Sequence, residues 1–131
     1  MNTNNATTLF RDRKVVLSTL WIFALLNYIY ADVFTLFFEP SAHKSAETMS
    51  QGAILGFAVL METGIAMIIL SRLLKYGANR WLNIIVAVIN TAAVAWTLTG
   101  GAAAYYMFFA IIEIACTLFI IWYAWTWRRA V

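Results

Sequence analysis

The stretch VVLSTLWIFALLNYIYADVFTLFF, residues 15–38, decides the fold of this chain. It exceeds the roughly 20 apolar residues an α-helix needs to cross the hydrocarbon core of a bilayer, and Asp32 is its only charged side chain. Comparable runs follow at residues 52–74, 81–99 and 102–127. Four runs of this kind predict an all-α protein: an integral membrane four-helix bundle forming one domain. Composition agrees. Hydrophobic residues make up 63% and charged residues 11%, against roughly 45–50% and about 25% in a soluble domain.

The connections predict the order of the helices. Glu39-Pro40-Ser41 is expected to stop the first, Gly77 to follow the second, and Gly100-Gly101 to form a tight third connection. Short connections favour antiparallel neighbours, hence an up-down-up-down bundle. Residues 1–14 read as a polar tail and 128–131 as a short C-terminal end. The first apolar run is too long for the core of a cleaved signal peptide.

Basic residues predict the orientation. Arg11, Arg13 and Lys14 precede the first run, Arg72, Lys75 and Arg80 are assigned to the second connection, and Arg128 and Arg129 follow the fourth run, whereas Lys44 stands alone on the other side. By the positive-inside rule both termini are cytoplasmic, N-in and C-in. Trp21, Trp81, Trp122, Trp125 and Trp127 are expected at the cytoplasmic boundary, and Tyr105 and Tyr106 at the opposite one.

Several functions are disfavoured. The net charge is +3, but the nine Lys and Arg residues are dispersed among the flanks and build no stripe for nucleic acid. Cys116 has no second cysteine to pair with, and His43 is the lone histidine, so neither a metal nor another cofactor is expected.

What remains is polarity where lipid rejects it. Asp32 lies in the first run, Glu62 in the second, Asn83 and Asn90 in the third, and Glu113 in the fourth. An acid at a helix centre costs about 2.5–3.5 kcal/mol on insertion scales, so intramembrane acids normally face inward and mark function. At about 1.5 Å per residue, Glu62, Asn90 and Glu113 lie roughly 15 Å from the outer ends of their helices, and Asp32 about 9 Å. Similar depth predicts convergence on one cavity, with Glu62 and Glu113 meeting across the bundle. Helical spacing adds Tyr28 beside Asp32 and Tyr106 beside Glu113, and Trp96 is placed at the outer mouth. Asn83 reads first as interhelical glue, and Gly52, Gly56, Ala87, Thr91 and Ala95 as packing ridges.

Tyr28-Ile29-Tyr30-Ala31-Asp32, Asn79-Arg80-Trp81-Leu82-Asn83-Ile84-Ile85 and Ile111-Ile112-Glu113 followed by Trp122-Tyr123-Ala124-Trp125 resemble a family of small bacterial four-helix membrane proteins with a domain of unknown function. The resemblance covers nearly the whole chain beyond the tail. It implies a bacterial cytoplasmic membrane and supplies no activity.

The leading functional expectation is a pocket for a small amphipathic, cationic molecule, lined by Tyr28, Asp32, Glu62, Asn90, Trp96, Tyr106 and Glu113. Alternatives are a proton-coupled transporter, which would call for a homodimer, a membrane acid-base enzyme, and a non-catalytic membrane subunit.

Overall fold

In the computed structural model, residues 12–39, 41, 44, 47–101 and 103–127 are described. The N-terminal tail up to residue 11, Pro40, His43, Ala102 and residues 128–131, with Arg128 and Arg129, lie outside them.

Four helices form: α1 (Arg13–Phe38), α2 (Gln51–Leu73), α3 (Tyr76–Leu98) and α4 (Ala104–Trp125). Each is long enough and apolar enough to cross a membrane. Local chemistry sets several ends. The Asp12 side chain accepts from the backbone N–H of Lys14 to start α1, and Ser50 Oγ accepts from the N–H of Ala53 to start α2. Gly101 adopts φ +84° before α4, a left-handed conformation that favours glycine.

The α2–α3 connection differs from the expected one. Only Leu74 and Lys75 separate the helices, so Arg72 and Arg80 are helical and Gly77 sits in the first turn of α3. Counting apolar residues places the start of α3 at Trp81, five residues late, because Asn79 and Arg80 are polar. Both are accommodated by bonds to neighbouring helix ends. Asn79 Nδ2 donates to the carbonyl of Ser71 (2.7 Å), and Arg80 donates from Nε to the carbonyl of Ala124 (3.1 Å) and from Nη2 to that of Trp125 (2.9 Å).

Side-chain contacts give the arrangement. Arg13 reaches Tyr123 and Tyr105 reaches Thr35, so α1 and α4 run antiparallel. Arg80 reaches Ala124 and Tyr106 reaches Thr97, which sets α3 and α4 antiparallel as well. Ser18 reaches Ile68 while Leu25 lies against Gly64, so α1 and α2 are also opposed. The α2–α3 seam is the loosest of the four.

Packing is concentrated at the end that holds the start of α1 and the end of α4. Leu17, Trp21, Ala24, Met67, Ala87, Cys116, Ile120 and Ala124 form the core there. Small residues let backbones approach: a Cβ on Gly64 would lie 3.1 Å from Leu25 Cδ2. Toward the other end α2 stands away from the bundle, with residues 51–59 all exposed. Gly52 and Gly56 meet nothing within 4 Å and pack on no neighbour, unlike Ala87, which is buried. Trp21 departs from the boundary role too. It is fully buried, because Asn83 Oδ1 accepts from its Nε1 at 2.8 Å inside the core. Trp81, Trp122 and Trp125 are exposed.

Candidate functional site

The α3 stripe carries two asparagine layers of different character. In the packed half, Asn79, Asn83, Ser71, Ser18 and Trp21 are fully buried. Asn83 Oδ1 accepts from Trp21 Nε1 and from Ser71 Oγ (3.2 Å), while its Nδ2 donates to Asn79 Oδ1 (2.6 Å) and the Asn79 carbonyl (2.8 Å). Ser18 Oγ donates to the carbonyl of Ile68 (2.8 Å) and accepts from Arg72 Nε (3.1 Å). Every polar side chain in this layer has a partner, the mark of structural glue. The sequence signal for Asn79 was its position four residues before Asn83, on the same helical face.

Two turns farther along α3 the accounting changes. Asn90 is buried; its Nδ2 donates to the carbonyl of Val86 (2.8 Å), and its Oδ1 receives only a long bond from the Tyr28 hydroxyl (3.4 Å). Glu113 on α4 is 3% exposed, and its Oε1 is buried with no hydrogen-bond partner. It is the one such side-chain atom among the described residues. Natural structures keep few groups of this kind, and each asks for an explanation.

The explanation offered by geometry is a cavity of about 220 Å³ lined by residues of all four helices. Tyr28, Ala31 and Asp32 come from α1, Phe57, Leu60 and Met61 from α2, Asn90, Ala93, Val94 and Thr97 from α3, and Tyr106 and Glu113 from α4. The Tyr106 hydroxyl donates to Thr97 Oγ1 (3.1 Å), which spans the α3–α4 side. Apolar walls with a few convergent polar groups make up the usual composition of a small-molecule site. With α2 packed loosely on α3, that wall is the least closed.

Five of the seven expected residues therefore share one cavity: Tyr28, Asp32, Asn90, Tyr106 and Glu113. Asp32 is exposed at its rim rather than buried, so Glu113 is the single buried carboxyl among the described residues. The other two sit elsewhere. Glu62 is exposed on α2, because α2 turns Gly64 toward Leu25 and Trp21, and two residues of α-helix rotate the side-chain direction by roughly 200°. Glu62 and Glu113 do not meet. Trp96 is 78% exposed on the outside of α3, since Val94, two residues earlier, takes the inward position. Thr97, seven residues after Asn90 on the same face of α3, also lines the cavity, whereas Phe57, Leu60 and Met61 of α2 do so with no polar or acidic signal to single them out.

No curated protein and no solved structure matches the chain. The match over residues 8–131 is to a family model described as a family of unknown function, DUF6326, and the chain belongs to that family.

Proposed function

We propose that this is a multi-pass protein of a bacterial inner membrane, with both ends cytoplasmic, whose cavity binds a small amphipathic molecule carrying a cationic amine. The observation that carries this reading is Glu113, a buried residue that lines the cavity and whose Oε1 has no donor from the protein. A ligand ammonium supplies the missing donor, and Asp32 at the rim adds a second acceptor. Tyr28 and Tyr106 offer ring faces that favour a cation over a neutral isostere. Size sets a limit. A cavity of about 150 Å³ accepts a benzene, so 220 Å³ suits one ring with a short substituent, and any longer apolar tail extends toward lipid along the α2–α3 seam.

The test uses the full chain in lipid nanodiscs, with benzylamine, benzyl alcohol and benzoate as probes of matched size, and empty nanodiscs to subtract partitioning. Saturation-transfer NMR is expected to give saturable binding for the amine, weaker binding for the alcohol and none for benzoate. Glu113→Gln is expected to weaken the amine about tenfold, equivalent to roughly 1.4 kcal/mol. Equal affinity for all three probes, or an unchanged amine affinity in Glu113→Gln, would overturn the reading.

A further inference from the structure

Glu62 is left over by the pocket, and its position is specific. It stands at the midpoint of α2, eleven residues from Gln51 and eleven from Leu73, hence about 16 Å from either end of the helix. A glutamate side chain is far too short to reach an interface from that depth. Glu62 is exposed and has no hydrogen-bond partner among the described residues. Its face is directed away from the cavity, since Phe57, Leu60 and Met61 line the pocket on the opposite side of the helix. With the four helices spanning a bilayer, the chain alone would hold a carboxyl against acyl tails at mid-depth, where it finds neither water nor headgroups.

Around Glu62 the outward face is regular. Leu55, Val59, Glu62, Ala66, Ile69 and Leu73 follow one another at steps of four, three, four, three and four residues, the spacing of a seam between two helices. All are exposed except half-buried Ala66. A polar side chain at one position of such a seam fixes register and number of strands.

We infer that a second copy of this chain covers this face, pairing α2 with α2 about a twofold axis along the membrane normal, so that the two Glu62 carboxyls meet at the axis. The argument for a second copy is self-complementarity. Two chains inserted with the same orientation hold α2 parallel, and residues of equal depth face each other across an isologous interface. Glu62 then meets the one polar group of the seam at its own height, and one carboxyl donates a hydrogen bond to the other. The inference rests on the helices spanning the membrane and is independent of what the cavity binds.

The test is cross-linking of the full chain in native membranes, in a Cys116→Ser background that removes the single native thiol. Val59→Cys and Ala66→Cys place thiols on the seam; Ile85→Cys and Phe108→Cys place them on exposed faces of α3 and α4. Under mild oxidation the seam variants are expected to form a disulfide-linked species of twice the chain mass at least fivefold more efficiently than the controls. Added to Val59→Cys, Glu62→Gln is expected to keep that yield, because an amide both donates and accepts, and Glu62→Leu to reduce it several-fold. Equal yields from all faces, adducts with a different polypeptide, or a yield unchanged by Glu62→Leu would each overturn the proposal. Helical content by circular dichroism confirms that each variant is folded.

Discussion

Asn83 and Asn90 stand seven residues apart on one face of α3 and do different work, because what decides the role of a buried amide is the set of groups across from it. Asn83 meets the Trp21 indole N–H and the Ser71 hydroxyl and is saturated. Trp21→Phe is expected to cost about 1 kcal/mol, the scale of an interhelical bond in a membrane, and Asn83→Ala roughly two to three times as much, since it strips acceptors from two buried donors. Thermal unfolding in detergent checks the order; equal losses would show that Trp21 is the sole partner that matters. Glu113 is the opposite case. Its Oε1 is buried without a partner, so Glu113→Leu removes a desolvation penalty of about 1–3 kcal/mol and is expected to raise the unfolding temperature while abolishing amine binding. A fall in that temperature would mean that the carboxyl supports the fold.

At the scale of elements, the end of α4 is held by side chains of other helices in addition to the backbone bonds of its own cap. Arg13 Nη1 donates to the Tyr123 carbonyl (2.7 Å) and to Thr126 Oγ1 (3.0 Å), Arg80 binds the carbonyls of Ala124 and Trp125, and the Tyr76 hydroxyl donates to that of Trp127 (2.6 Å). Both guanidinium groups also lie over rings, Arg13 at 4.3 Å from the Tyr123 centroid and Arg80 at 5.2 Å from that of Trp125. These groups add donors to the last carbonyls of the helix, where intrahelical partners run out, and cations there complement the helix dipole. Replacing Arg13 and Arg80 together by Ala is expected to speed hydrogen exchange in the last turn of α4 selectively, leaving the middle of α1 protected; uniform loss of protection would point to global destabilisation instead. The α3–α4 connection makes a second element-scale prediction. Gly101→Ala forces an L-residue to φ +84° and is expected to lower stability by about 1 kcal/mol, measured by the same unfolding transition.

At the scale of the molecule, the bundle is tight at one end and loose at the other. The core and the saturated asparagine layer occupy the end with the start of α1 and the end of α4, while the cavity and the exposed first nine residues of α2 occupy the other. A pocket built into the looser half can admit a ligand without disturbing the packing that holds the helices together. Orientation belongs to this scale too. Arg13, Lys14, Arg72, Lys75 and Arg80 gather at the packed end and Lys44 lies between α1 and α2, the asymmetry on which the proposed cytoplasmic placement of the packed end rests under the positive-inside rule. In a Cys116→Ser background, Lys44→Cys is expected to react with a membrane-impermeant maleimide on intact cells, and Lys75→Cys only after permeabilisation. The reverse pattern would invert the protein.

The length and hydropathy of four runs sufficed to specify four helices and their class, because a chain this apolar has few ways to satisfy its backbone except as helices. The rise per residue put Asn90 and Glu113 at similar depth with Asp32 nearer the outer end, and helical spacing set Tyr28 beside Asp32 and Tyr106 beside Glu113. Periodicity does not say which face of a nearly uniform helix turns inward. On α2 apolar side chains surround Glu62 on every side, and Gly64, whose missing Cβ allows close approach to Leu25, settles the rotation. That contact sends Glu62 outward. Trp21 was decided in the same way by an acceptor on another helix, and Trp96 by the inward turn of Val94. Composition along one strand of sequence fixed what the solvent must be; the rotation of each helix about its own axis depended on steric fit and hydrogen-bond partners supplied by the others.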